Sequence, residues 1–273
     1  MSAPIRGSGE LGALMTGEAD AALGEVLADL VEEAGAGILP LWRSGLQVDR
    51  KADESPVTEA DRRGEALILR RLRELFPDTP VVSEEDASAF GTPETIGPRF
   101  FLVDPLDGTK AFVRGEEHWT VNIGLIQDGL PVAGAVSAPA WGRTWHTARG
   151  GARRRIIAEG GPGEPIHVRP WKEGRAVALV SHTMKPETEA ELRLKYGFDE
   201  KLAMDSSAKL CMIAEGTADV YPRHGTTMEW DIAAAHAVLL AAGGSLTTPD
   251  GEPFVYGKAD QGFRNGWFVA RGG

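Results

Sequence analysis

The chain has 273 residues, 42% hydrophobic and 25% charged, which is ample material for one large domain or two coupled ones. Its 40 acidic against 29 basic residues leave a net charge of −11, which argues against a nucleic-acid polymer or an anionic membrane surface as the main partner; phosphates remain accessible if metal ions supply positive charge. A single cysteine, Cys211, allows no intramolecular disulfide and points to a reducing, cytoplasmic compartment, where it is expected to be a small buried hydrophobe.

Residues 1 to 17 hold Ser, Gly and Pro around a brief LGALM patch, too short for a signal core or a membrane span, and are expected to form a loose tail. No later run reaches membrane length, so no transmembrane segment is expected, and no repeat is visible. Residues 19 to 42 set Leu23, Val26, Leu27, Leu30, Val31, Ala34 and Ile38 at helical spacing and predict an amphipathic helix. A second helix is expected over 59 to 75: Thr58 and Asp61 match a capping box, Ile68, Leu72, Leu75 and Phe76 form the apolar face, and Pro77 stops it. VVSEED reads as a short strand ending in acid, followed by a loop to about residue 98 and the strand FFLVD.

After DPLDGT, the β-rich runs WTVNIGLIQ and PVAGAVSAP are joined by Asp128-Gly129, a strong hairpin signal, and TWHTA leads to a turn at Gly150-Gly151. RRRIIAEGGPGEP reads as the junction between two lobes, 18–160 and 161–273, with its arginines on a solvated hairpin face or on a phosphate. The second half alternates: VALVS strand, 187 to 196 helix, KLAMD strand, AKLCMIAEG helix, ADVYP strand. An alanine-rich helix then runs from near Asp231 to Gly243, and strands at 244 to 248 and 265 to 270 close an α/β protein of layered sheets and helices.

FFLVDPLDGTKAF brings Asp104 and Asp107 to the end of an apolar strand. Like charges about 4 Å apart repel by roughly 4 kcal/mol at an effective dielectric near 20, so a cation is expected beside them, either Lys110 or a metal ion. Asp61, Glu84 and Asp231 also stand at junctions of predicted elements. Each acid alone reads as a cap or a solvated loop residue. Together, with no Cys or His cluster nearby, their hard oxygens suit Mg²⁺ or Mn²⁺ and not zinc. An EF-hand fails for want of alternating acids and a terminal Glu. Haloacid-dehalogenase-type phosphatases place their aspartates two apart before Gly-Thr, whereas these are three apart.

DPLDGTKAF, with SEED upstream and WDIAAAHAVLLAAGG downstream, resembles the inositol monophosphatase superfamily of metal-dependent, lithium-sensitive phosphatases over nearly the whole chain. DGTKAF, SSAKLCMIAEGTADVYPR and the following WD helix are most similar, in that order, to the CysQ-type 3′(2′),5′-bisphosphate nucleotidases. The resemblance implies an α/β (α+β) fold, a layered α/β/α/β/α sandwich of the inositol monophosphatase and fructose-1,6-bisphosphatase type. It implies that Glu84, Asp104, the Leu106 carbonyl, Asp107 and Asp231 bind two or three Mg²⁺ ions, Mn²⁺ being an alternative, with Glu85 behind them. It further implies that Lys51, in a mobile loop before Ser55-Pro56-Val57-Thr58, closes near the metals, and that Asp61 hydrogen-bonds Thr109.

Gly108 would let the backbone approach a phosphate, and a water oriented by Thr109 and Asp61 would attack phosphorus in line, with Glu84 among the catalytic groups and Asp231 on the leaving-group side. By the same resemblance, Ser181 with His182, Ser206, Ser207, Lys209 and Arg223 border the substrate cleft, and Lys110 either guards its entrance or neutralises local acid. His118, His146 and His236 are assigned packing or surface roles, and the tryptophans at 119, 141, 145, 171, 230 and 267 are assigned to the core. The expected partner is a small phosphorylated molecule, most simply a nucleotide bisphosphate; inositol phosphate, fructose 1,6-bisphosphate, histidinol phosphate and a non-catalytic regulator remain open. Members of the superfamily are often homodimers.

Overall fold

A computed structural model describes residues 18–44, 48–51, 56–171, 176–181, 184–204 and 206–273. The expected N-terminal tail, Ser55 and His182 lie outside the described residues. The first helix, α1 (Glu18–Ile38), ends in one tight turn, Leu39–Leu41, because Pro40 cannot continue it. A short ribbon of β1 (Val48–Arg50) and β2 (Pro56–Thr58) follows. The next helix, α2 (Glu59–Leu75), begins at the expected capping box, with Thr58 N donating to Asp61 Oδ2 at 2.7 Å and Ala60 N to Thr58 Oγ1 at 3.1 Å. Ile68 and Leu72 are buried as expected, but Leu75, in the last turn, is 43% exposed.

β3 (Val81–Ser83) runs directly into α3 (Glu84–Phe90), where a loop was expected. The reason is tertiary: Glu65, on α2, accepts from Glu85 N at 3.1 Å and Asp86 N at 3.2 Å and so caps a helix twenty residues away. β4 (Arg99–Asp107) continues through DPLD, and α4 (Thr109–Val113) follows Gly108. β5 (Thr120–Gln127) and β6 (Leu130–Ala138) form the expected hairpin, with Asp128 at φ 51° and Gly129 at φ 78°, the pairing a tight primed turn needs. β7 (Arg143–Ala148), β8 (Gly151–Ile156) and β9 (Glu164–Ile166) complete a seven-stranded sheet in the order β3-β4-β5-β6-β7-β8-β9, parallel at β3–β4 and antiparallel elsewhere.

The arginine-rich stretch is therefore a hairpin within this sheet. Its arginines are not uniformly solvated. Arg155 is buried and pairs with Asp29 at 2.5 Å and Glu32 at 3.6 Å on α1, while Arg154 reaches Glu215 at 3.2 Å. Arg155 is buried whereas Asp29 is 73% exposed, so the contacts tether β8 to α1.

The second half supplies β10 (Val177–Val180), α5 (Pro186–Tyr196), β11 (Glu200–Ala203), α6 (Ala208–Ala214), β12 (Val220–Arg223), β13 (Thr227–Met228), α7 (Glu229–Ala241), β14 (Ser245–Thr247), β15 (Arg264–Asn265) and β16 (Phe268–Arg271). Five of these strands form a sheet in the order β11-β10-β12-β16-β14, and β13 pairs with β15. Among the described residues there are thus seven α-helices and a mixed α/β arrangement of five layers. One apolar cluster joins α1 and α2 to one face of the large sheet. A second fills the space between the two sheets around α6 and α7, and a third packs α5 on the far face of the small sheet. The central layer lies close because β5 and β6 present glycines to α7: a Cβ on Gly124 would come within 2.8 Å of Ala234 N, and one on Gly134 within 2.4 Å of Ala234 O. Cys211 is buried there, as expected.

Candidate active site

In a regular strand Asp104 and Asp107, three apart, would face opposite sides. The β4–β5 register shifts between them: Asp104 stands opposite Asn122 and Asp107 opposite Thr120, two residues on one face of β5. The bulge at Pro105-Leu106 thus returns both carboxylates to the same side, facing the central helical layer. Gly108 follows at φ 91°, and a Cβ there would lie 2.6 Å from His118 O, so only glycine fits the turn that starts α4. Thr109 Oγ1 lies 3.1 Å from Asp61 Oδ1 and 3.1 Å from the Leu106 carbonyl. Asp61 is held from behind by Thr58 N and Oγ1, each at 2.7 Å.

Each acid has an identifiable protein partner. Asp104 Oδ1 accepts from Leu106 N at 3.0 Å, Asp231 Oδ2 from Met228 N at 2.8 Å, and Asp107 Oδ2 from Ser207 N. Lys51 Nζ lies 2.7 Å from Glu84 Oε1 and 2.6 Å from Glu85 Oε1. Burial, and then repulsion from Glu84, Asp107 and Asp231, holds Asp104 well above the usual carboxylate range. Burial, and then repulsion from Asp107 and Glu84, holds Asp231 well above its ordinary value. Asp107 is pushed up to about 6 by burial, against the Lys209 ammonium and the Ser207 amide. Burial raises Asp61 against its Thr58 hydrogen bonds, and raises Glu85 to about 7 against Lys51.

Glu84, Asp104, Asp107 and Asp231 therefore feel one another across a common space. Lys51, Lys209 and Arg223 bring positive charge to these acids, whereas Lys110 is exposed. Among the described residues no three acid, His or Cys side chains are arranged to grip an ion as they stand. Lys51 pairs with Glu84, and a backbone amide holds one oxygen of each of Asp104, Asp107 and Asp231. The donor set still fits a hard divalent cation: mutually repelling buried carboxylates are the groups such a charge relieves.

A cavity of about 940 Å³ opens beside these acids. Glu84, Asp107, Asp231, Gly108, Thr109, Lys110, Ser181, Ser206, Ser207, Lys209 and Arg223 all line it; Lys51, Asp61, Asp104 and Leu106 stand behind that lining. Lys209 is buried, with its ammonium donating to Met204 O at 3.1 Å and lying 5.0 Å from the Tyr221 ring centre. Arg223 reaches Thr226 O at 3.4 Å.

The cavity wall also includes residues the sequence did not single out. Tyr221 was recoverable, since it shares a strand face with Arg223 two residues on. Arg43 and Arg114 were not: Arg43, at φ 62°, is brought there by its hydrogen bond to Gly115 O at 3.1 Å, a contact across 72 residues. His118, assigned no chemistry, also lines the cavity, while His146 and His236 are buried. Trp267, assigned to the core, is 56% exposed and stacks on His224 at 4.5 Å, because the chain between β15 and β16 carries it to the surface.

Residues 21–267 match the model of the inositol monophosphatase family. The 3′(2′),5′-bisphosphate nucleotidase CysQ of Salmonella typhimurium is 39% identical, over 85% of this chain and 93% of its own. A histidinol-phosphatase of Mycobacterium tuberculosis is 35% identical, over 76% and 79%. The solved structure of CysQ from Bacteroides thetaiotaomicron, described as a bacterial member of the inositol monophosphatase family, superposes with a TM-score of 0.74 at 34% identity, covering 92% of this chain and 97% of that one. With a family match across most of its length and relatives of this similarity, the chain belongs to the inositol monophosphatase family.

Proposed function

We propose that the protein is a Mg²⁺-dependent phosphomonoesterase that hydrolyses the 3′-phosphate of adenosine 3′,5′-bisphosphate, releasing AMP and phosphate. The family is generally metal-dependent. The observation that carries the reading is the bulge at the end of β4, which turns Asp104 and Asp107 to one side next to the Thr109–Asp61 pair. The CysQ relatives favour the nucleotide.

Glu84, Asp104, the Leu106 carbonyl, Asp107 and Asp231 would hold the cation, in two or three sites. When bound it would draw in phosphate oxygens, lower the pKa of a water and offset charge on the leaving oxygen. Thr109 has one proton for two acceptors, Asp61 Oδ1 and the Leu106 carbonyl; given to the Asp61 carboxylate, it leaves the hydroxyl lone pairs to accept from the attacking water and aim it at phosphorus. The water oxygen forms the new P–O bond as the ester P–O bond breaks; the attacking water gives up a proton to solvent and the departing 3′-oxygen takes one up from solvent, so that one water is consumed overall. The backbone at Gly108 admits the phosphate closely. Lys209 and Arg223, with Ser181 and Ser206 nearby, offer positive charge and donors on the facing wall to a second phosphate. Lys110, at the exposed rim, would attract anionic substrate.

The test is phosphate release from adenosine 3′,5′-bisphosphate, inositol 1-phosphate, fructose 1,6-bisphosphate and histidinol phosphate, with and without Mg²⁺ and with added lithium. The nucleotide should give the highest kcat/KM, only with Mg²⁺, and lithium should inhibit. A preference for histidinol phosphate would favour the activity named for the mycobacterial relative. Inactivity toward all four would favour a regulator and overturn the proposal.

A further inference from the structure

Asn122 stands inside β5 between Val121 and Ile123 and is fully buried. Its Oδ1 accepts the Ser207 hydroxyl at 2.8 Å, and its Nδ2 has no hydrogen-bond partner among the described residues. A half-satisfied buried amide is a costly choice for a strand that is otherwise mostly apolar. What it gains lies one step further on. Ser207 Oγ is 3.0 Å from Thr120 Oγ1, Ser207 N donates to Asp107 Oδ2, and Thr120 Oγ1 is 3.4 Å from that same oxygen.

With the Asn122 carbonyl oxygen turned toward Ser207, proton accounting gives the direction of this network. Ser207 has one hydroxyl proton and commits it to Asn122, so its oxygen can only accept from Thr120. The Thr120 proton is then shared between Ser207 and Asp107. Both bonds to Asp107 therefore fall on Oδ2, which leaves Oδ1 to whatever enters the cavity that Asp107 lines. Ser206 sits at φ 75°, a left-handed conformation that a serine adopts at a cost, and this turn directs the Ser207 amide toward the carboxylate. Thr120 and Asn122 belong to the large sheet, while Ser207 immediately precedes α6 in the layer between the sheets.

We propose that Asn122 is a positioning residue: through Ser207 it fixes the Asp107 carboxylate in the orientation that receives a divalent cation, at the point where the large sheet meets the central helical layer. The inference rests on the reading of Asp107 as a cation ligand. It also reassigns the Ser207 hydroxyl, whose proton is spent inside the protein and not on a substrate phosphate.

The test is direct titration of the metal-free protein with Mn²⁺, followed by electron paramagnetic resonance and calorimetry, alongside melting temperatures. Asn122→Leu and Ser207→Ala should each weaken Mn²⁺ binding about tenfold, and Asp107→Asn should weaken it far more. Leu246→Ala, a buried change in β14, supplies a control for lost stability: it should lower the melting temperature without moving Mn²⁺ affinity. Ser207→Ala keeps the backbone amide and decides the matter should Asn122→Leu fail to fold. Wild-type Mn²⁺ affinity in Ser207→Ala, with affinity lost in Asp107→Asn, would overturn the positioning role alone. Wild-type affinity in Asp107→Asn would overturn the ligand assignment beneath it.

Discussion

Asp61 and Asp104 reach the site from within packed layers, each backed by backbone amides, whereas Arg223, Thr226 and Lys110 reach the cavity from a strand end, a connecting loop and an exposed helical turn. On the first side, a capping box, a bulge and a left-handed glycine leave little freedom to the reacting groups. On the other, Lys110 is exposed and Arg223 reaches Thr226 O only at 3.4 Å. Under the proposed function, such a division would let one set of reacting groups serve different phosphate esters while the facing wall selects among them. Substitutions on the first side should then change turnover for every substrate, and those on the second should change affinity for some.

The largest effect is expected from Asp231→Asn. Its loss should reduce kcat by at least about 100-fold at any substrate, since even partners behind metal ligands are typically worth 10–100-fold. Removing one of several mutually repelling carboxylates should leave the metal-free protein melting at the same temperature or higher. A collapse of stability would mean that Asp231 serves the fold instead. Thr109→Val keeps the volume but loses the hydroxyl shared with Asp61, and should lower kcat by about 100-fold, the lower end of what proton-handling groups contribute, with little change in KM. An effect confined to KM would contradict the water-orienting role.

On the facing wall, Arg223→Ala should raise KM for the nucleotide bisphosphate about tenfold, in keeping with the loss of one charged hydrogen bond, and leave inositol phosphate unaffected. Equal losses on both substrates would break the division between the two sides. The smallest effect at the site is expected from His236, which is buried on α7 against the Tyr256 hydroxyl at 2.9 Å. Burial pushes its pKa down to about 3 from an ordinary value near 6.5. The unfolded chain therefore takes up a proton in that interval and the folded one does not. Its contribution to stability is full above pH 6.5 and is lost as pH falls toward 3, at about 1.4 kcal/mol per pH unit. Denaturant unfolding of His236→Leu between pH 4 and 6 should show a slope shallower by about that amount; an unchanged slope would refute the buried neutral state.

Several parts of this architecture were legible because their causes are local. Thr58 and Asp61 lie in one helical turn, Asp128-Gly129 carries its own turn chemistry, and Gly108 follows its aspartate directly. What escaped had distant causes. The helix at Glu84–Phe90 is capped by Glu65 from another element, and Arg155 is buried through an acid 126 residues away. The acids were legible as a candidate set and Lys51 as their neighbour, but its direct pairing with both Glu84 and Glu85 was not, because only the folded chain brings an ammonium 33 residues upstream within 2.7 Å of Glu84. Likewise, a β-bulge cannot be read from DPLD without the register of its partner strand.

The central proposal is that Glu84, Asp104, Asp107 and Asp231 converge on one shared centre of two or three divalent ions, and a crystal soaked in Mn²⁺ and measured at the manganese absorption edge tests it most directly. The expected result is anomalous density within coordination distance of these carboxylates, with Glu84 released from Lys51. Manganese bound elsewhere, or the four carboxylates keeping their present partners at saturating Mn²⁺, would contradict it.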